Sequence, residues 1–221
     1  MHLVSVNVGR EQALSHAKAS GKTGIFKRPV DAPVPVTALG LPGDTICDTE
    51  NHGGVDQAVY VYGLPDYHWW SAELGRDLAP GTFGENLTVA DLESADLSIG
   101  DRLHIGRVVL EVTAPRIPCV TLARRVGDPA FLKRFRVAER PGVYCRVLSE
   151  GMVRAGDAVR HEPYAGEPLT VRALFRAFFE PPRDVATLRR QLAAPIAIRD
   201  RMEKEQLLRE LLAEEELFGR R

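Results

Sequence analysis

Cysteine is scarce in this chain: Cys47, Cys119 and Cys145 are the only three in 221 residues. An odd, low count speaks against a disulfide framework and suits a reducing compartment. Three thiols also fall short of four-cysteine ligation of an iron–sulfur cluster or a zinc knuckle. Any metal must then use one or two thiols with other ligands, or arrive inside a cofactor. An excess of one charge is missing too, since 29 Lys plus Arg face 30 Asp plus Glu for a net charge of −1. No global field exists to hold DNA, RNA or an anionic membrane, so no stable nucleic-acid binding is expected, while a local basic pocket stays open. The chain lacks the run of about 18 apolar residues that a membrane span requires. Met1 to Arg10 lacks the basic-then-apolar order of a signal peptide, and the expected location is cytoplasmic.

Several catalytic signatures are absent as well. There is no Gly-x-Gly-x-x-Gly for a dinucleotide and no Gly-x-Ser-x-Gly elbow for a hydrolase. Gly21-Lys22-Thr23 mimics the end of a P-loop, but His16 stands where the motif needs its first glycine. His161-Glu162 runs into Pro163, which excludes a zincin helix.

What is present is an ordinary globular mixture, 44% hydrophobic and 27% charged. Up to about Tyr164, short strands alternate with Gly and Pro turns. Leu3 to Val8 places Ser5 and Asn7 opposite valines; Ala58 to Tyr62 is β-branched and aromatic; Leu103 to Val112 reads as a hairpin around Gly106. Tyr144 to Leu148 and Asp157 to His161 add two strands, and Gly-Asp turns recur at 43–44, 100–101 and 156–157. This texture favours a mainly β barrel or sandwich with helices. One helix is expected from Pro65 with Asp66 as cap and Tyr67, Trp70 and Leu74 on one face, and another over Pro129 to Phe135. After Gly166 the pattern turns helical. Val171, Leu174, Phe175, Phe178 and Phe179 form an apolar stripe stopped by Pro181-Pro182. Asp184 caps a second helix, and Pro195 opens a third through Leu212. The expected division is a β domain at 1–165 and a helical unit at 166–221.

Three segments carry candidate chemistry. In Gly43 to Asp56, His52-Gly53-Gly54 lets the backbone approach a bound group, its N–H groups forming an anion nest; a tight turn around a buried histidine is the structural alternative. In Gly81 to Thr88, Glu85 and Asn86 follow a glycine-bracketed Phe, as ligand contacts or as a turn in which Asn86 bonds its own backbone. In Pro115-Arg116-Ile117-Pro118-Cys119, two prolines stiffen the chain and hold Cys119 beside the Arg116 guanidinium, which favours thiolate; a buried small cysteine is the alternative. Cys145, inside a strand pattern, belongs to the core.

Together, and in this order, these segments resemble the MOSC domain family, named for the C-terminal domain of molybdenum cofactor sulfurases. The likeness is greatest to its YiiM-like branch, the 6-N-hydroxylaminopurine-resistance proteins. The stretches that carry it are Ser20 to Lys27, Gly43-Asp44 with His52 to Val59, Phe83 to Leu87, and Pro115 to Cys119, and the resemblance spans roughly residues 1–163. It implies a β-barrel core with an added C-terminal helical domain, and a molybdenum–molybdopterin cofactor whose metal is bound by the Cys119 thiolate. Soft sulfur suits such a metal. The cofactor's phosphate needs a basic pocket, for which Lys22, Lys27, Arg28 and Arg116 are candidates, with Gly53, Gly54 and Asn86 as further contacts. The implied activity is reduction of N-hydroxylated compounds, such as hydroxylaminopurine bases, to amines. His52 or a burial-shifted Glu85 would be the proton donor. No flavin, nicotinamide or iron–sulfur motif is present, so a separate electron-donating reductase is implied.

The rival is a non-catalytic carrier, with Cys119 holding the cofactor or a persulfide sulfur for delivery to another protein. Whether the tail lids the pocket, docks a partner or joins two copies into a homodimer stays open, and Cys47 has no evident reason.

Overall fold

The computed structural model describes residues 1–14 and 21–218, and the side chains of that range as far as residue 216. Ser20 and His16, invoked above, lie outside the described residues. In chain order the strands are β1 (Leu3–Val8), β2 (Gln12–Ala13), β3 (Lys22–Thr23), β4 (Arg28–Pro29), β5 (Val34–Val36) and β6 (Val59–Gly63). Helix α1 (Leu64–Leu74) precedes β7 (Leu87–Val89), β8 (Arg102–Ile105) and β9 (Val108–Pro115). Helices α2 (Val120–Val126) and α3 (Phe131–Ala138) lead to β10 (Val143–Ser149), β11 (Gly151–Val153) and β12 (Val159–Glu162). Helices α4 (Val171–Phe179), α5 (Val185–Ala193) and α6 (Ile198–Phe218) follow. No helix among the described residues is long and apolar enough to cross a membrane.

Eight strands form one sheet in the order β12-β8-β9-β10-β6-β7-β1-β4, antiparallel except for β6 beside β7. Among the described residues the ladders do not close the expected barrel. The start of β1 and the residue before it meet the approach to β12 through an isolated bridge, His2 to Ala158, with Leu3 N donating to Asp157 O at 2.8 Å. Among the described residues the class is therefore a mixed sheet with six α-helices.

The two-residue period of the strands sorts their side chains into two cores. Val59 and Val61 of β6 and Cys145 of β10 enter an aliphatic cluster with Leu3, Leu103 and Leu110. Tyr60, Tyr62 and Tyr144 face the other way, into an aromatic cluster with Tyr67, Trp70, Phe83, Phe131 and Phe135. Fully burying each such side chain contributes about 1.5–3 kcal/mol. Tyr62 stacks on Phe83 with centroids 4.5 Å apart, and Trp70 Nε1 donates to Tyr62 Oη at 2.9 Å. Helix α4 joins both cores, with Val171 and Leu174 in the first and Phe175 in the second.

Two expected details change. Asp66 does not cap α1: Gly63 occupies that position, and the buried Asp66 carboxylate accepts from Ser94 Oγ at 2.7 Å and Arg140 Nη1 at 2.7 Å. Strand β1 has no solvent face, because Ser5 and Asn7 are buried in a polar network with Thr88 and Glu85. The tail follows its pattern. Thr170 and Asp184 cap α4 and α5 by accepting from Ala173 N at 3.1 Å and Thr187 N at 2.7 Å.

Candidate functional site

Strand β9 ends at Pro115, and the segment from Arg116 to Pro118 delivers Cys119 to the first residue before α2, a helix the sequence reading does not anticipate. The pairing of β10 with β9 shifts register between Tyr144 and Cys145, opposite Ala114 and Val112. Such a bulge re-aims side chains. Here Thr113 is the extra residue of β9, so Ala114 joins Tyr144 on the aromatic side although Val112, two residues before it, lies in the aliphatic core with Cys145.

A cavity of about 250 Å³ lies on that aromatic side. Cys119, His52, Arg116 and Tyr144 form one part of its wall; Lys22, Lys27, Cys47, Gly53 and Asn86 contribute the rest. The loop carrying His52 reaches this place because Gly53 adopts φ +73°, where a Cβ would come within 2.8 Å of Ile46 Cδ1. Tyr144 Oη lies 3.2 Å from His52 Nδ1. The Arg116 guanidinium is buried over the Tyr60 ring, 5.0 Å from its centroid, and its Nε has no hydrogen-bond partner.

These neighbours set the charge state of the sulfur. Burial opposes ionisation of Cys119, but a hydrogen bond from His52, the Arg116 guanidinium and the Leu122 N–H outweigh it and bring the thiol down to about 6. Burial also works against the charge of Arg116, yet Tyr144, Tyr60 and the Cys119 sulfur hold it above its ordinary value. The wall is therefore a thiolate–guanidinium pair at neutral pH. Cys145, enclosed by apolar side chains, is pushed up by burial instead.

The other expected site residues separate into three kinds. Lys27 and Asn86 reach the cavity with their polar ends engaged by Asp44. The Lys27 ammonium is ion-paired with that carboxylate, and Asn86 Nδ2 donates to it at 2.9 Å. Burial lowers the Lys27 amine, opposed by Asp44. Lys22 lies at the exposed rim and pairs with Glu11 at 2.7 Å. Three residues fall elsewhere. Arg28 lines a separate cavity with Arg10 and Phe26, because β4 pairs with the outer end of β1. Gly54 is exposed and starts the turn at Val55–Gln57.

Glu85 is the third. It is fully buried, and its Oε1 accepts from Tyr67 Oη at 2.6 Å, Gly81 N at 2.6 Å and Thr88 Oγ1 at 2.7 Å. Burial raises its carboxyl despite these donors. It pins the loop between α1 and β7 from behind rather than facing the cavity. Asp44 and Tyr144 are the site residues that sequence reasoning does not single out. The Gly-Asp turn signals the first, and the alternation against Cys145 signals the second.

No group of three or more His, Cys, Asp or Glu side chains able to hold a metal occurs among the described residues. A thiolate beside an unpaired, buried guanidinium nitrogen does fit an anionic group that brings its own sulfur-bound metal.

Sheet, thiolate and cavity together define the site, and comparison with known proteins gives the family. The MOSC domain matches residues 48–160. Protein YiiM of Escherichia coli is 31% identical over 156 residues, covering 69% of this chain and 68% of that protein. A Gibberella moniliformis protein named "Reductase" is 35% identical over 162 residues, covering 70% of this chain but 29% of its own length. The crystal structure of YiiM from Geobacillus stearothermophilus superposes with a TM-score of 0.78 at 26% identity, covering 94% of this chain and 98% of that one. The chain belongs to the MOSC domain family, a family of molybdenum-cofactor-binding domains, and to its YiiM-like branch.

Proposed function

We propose that this protein is a molybdenum-cofactor-dependent reductase of N-hydroxylated compounds, with the metal held by the Cys119 thiolate. The observation that carries the reading is the place of that sulfur: in a cavity wall beside His52 and the buried Arg116, which favour its thiolate, rather than in the core. Family membership and the relative named "Reductase" support it.

Cys119 would hold the metal, and Arg116, Lys22 and the Gly53 backbone would face the anionic pterin and its phosphate. The bound cofactor supplies the two-electron chemistry that removes oxygen from an N–O bond. The net reaction, R–NHOH + 2 e⁻ + 2 H⁺ → R–NH₂ + H₂O, leaves the protein to deliver protons and exclude competing water. His52 would deliver the protons: its ring bonds the Cys119 sulfur and Tyr144, whose hydroxyl can accept from a protonated Nδ1 or donate to a bare one. Arg116 keeps the sulfur from taking that proton. Electrons come from a separate reductase, because the chain has no motif for a second redox group.

Turnover tests this. Cofactor-loaded protein with a chemical reductant should convert 6-N-hydroxylaminopurine to adenine, and Cys119→Ser should abolish the conversion. Loaded protein that passes sulfur or cofactor to an acceptor without reducing the hydroxylamine would be a carrier and would overturn the reductase reading.

A further inference from the structure

The loop from Asp48 to Gln57 that carries His52 has no apolar anchor. Gly53 is its one buried residue and has no side chain, while Val55 stands 56% exposed. Bonds inside the loop are local: His52 N donates to Asp48 O at 3.0 Å, and Asn51 Nδ2 donates to Asp48 Oδ1 at 2.9 Å. A segment with so little buried apolar surface takes its position from polar contacts with its neighbours.

The start of α6 supplies those contacts. The residues just before it are sunk in both cores, Ala194 and Ile196 in the aliphatic one and Ala197 in the aromatic one. Ala197 N donates to Thr113 O at 3.1 Å, and Arg146 Nη2 donates to Pro195 O at 3.2 Å. From this fixed base two residues reach the loop. Ile198 N donates to Asp56 Oδ2 at 2.8 Å, and Asp56 Oδ1 pairs with Arg146 Nε at 3.0 Å. Arg199 spans the loop, its Nη2 donating to Thr49 O at 2.9 Å and its Nη1 to Gln57 Oε1 at 3.3 Å. These acceptors flank His52 in sequence, and a planar guanidinium fork can hold both at once. The His52 ring in turn meets Tyr144 Oη at 3.2 Å and the Cys119 sulfur. Arg199 and His52 also border a second cavity, of about 690 Å³, between this loop and helices α4 and α6.

We propose that Arg199 is a positioning residue: with the Ile198 N–H it clamps residues 49–57 to the start of α6, and so holds the His52 ring against Cys119 and Tyr144. The added helices then serve the site by holding a loop of the β domain. The inference rests on the reductase reading only where turnover is measured.

Histidine ring signals test the clamp in full-length protein free of cofactor, by nuclear magnetic resonance with labelled histidine. His52 is identified by the signals lost in His52→Gln. Arg199→Ala should shift or broaden the His52 signals and leave those of His68, His104 and His161 in place. Ile198→Pro removes the N–H at the first helical position, where proline is accepted, and should have the same effect. Arg172→Ala breaks another tail bond, to Asp96 Oδ1 at 2.8 Å, and should leave His52 unmoved. In cofactor-loaded protein, Arg199→Ala should lower kcat about tenfold at nearly constant KM, and should lower it no further in the His52→Gln background. A raised KM with kcat unchanged would make Arg199 a substrate contact in the second cavity and overturn the proposal. Unmoved His52 signals, movement of all the histidine signals alike, or a full tenfold loss added to that of His52→Gln would overturn it too. Failure of the reductase reading alone looks different: the parent does not turn over, and the His52 signals still respond to Arg199→Ala.

Discussion

Cys119 and Cys145 are the same side chain in opposite situations. Cys145 sits within β10, opposite Val59 and Val112, sealed in an aliphatic core where no dipole or cation favours the charged form. Burial pushes it up, and it serves as a small hydrophobe. Cys119 follows two prolines at the edge of a cavity, within reach of His52 and Arg116, and comes down to about 6. Both are substantially withdrawn from water. The difference lies in what replaces the water: packed methyl groups in one case, a buried cation and two donors in the other.

Iodoacetamide should break or sharpen this contrast most visibly. In protein free of cofactor, Cys119 should be alkylated with a half-maximal rate near pH 6, falling at lower pH as the thiol reprotonates. Cys145 should stay unlabelled until the protein unfolds, as mass spectrometry of peptides will read. Equal labelling of the two would remove the distinction. Stability carries the same signature. A thiol depressed from an ordinary value of 9.0 to about 6 contributes stability that is complete above pH 9 and lost as pH falls toward 6. The melting temperature of the parent relative to Cys119→Ser should therefore rise across that interval.

Next in size is Arg116→Gln. Removing the cation should move the half-maximal alkylation pH upward by about one unit, or about tenfold less thiolate below the midpoint. An unchanged profile would assign the depression to His52 and Leu122 alone. The smallest effect is expected far from the wall. Asp184→Ala removes the α5 cap and should cost about 1 kcal/mol, read by urea unfolding, with no change in Cys119 reactivity.

Much of the frame is legible in the sequence because it depends on local pattern. The hairpin β8–β9 follows from alternation around Gly106, α4 from its apolar stripe and Pro stop, and α5 from Asp184. The Pro-Arg-x-Pro frame likewise exposes Cys119, since the stiffness and the cation are sequence neighbours. What local pattern misses is set by long-range pairing. Arg28 and Lys27 are adjacent, yet β4 turns one outward to a different cavity while Asp44 draws the other inward. Glu85 has the chemistry of an acid catalyst, but β7 lies parallel to β6 and folds it behind the aromatic core, where Tyr67 and Gly81 engage it. Asp66 mimics a helix cap until Ser94 and Arg140, distant in sequence, claim its carboxylate. The second cavity is formed by helices that sequence order places far from His52.

The most direct measurement is molybdenum and pterin per chain, by mass spectrometry and oxidised-pterin fluorescence. The proteins are the parent, Cys119→Ser and Cys145→Ala, each expressed with molybdate and a working cofactor pathway. The account predicts near-stoichiometric metal and pterin in the parent and in Cys145→Ala, and loss of metal in Cys119→Ser. Equal metal in the parent and Cys119→Ser, or none in any of the three, would contradict the claim that this sulfur holds the cofactor.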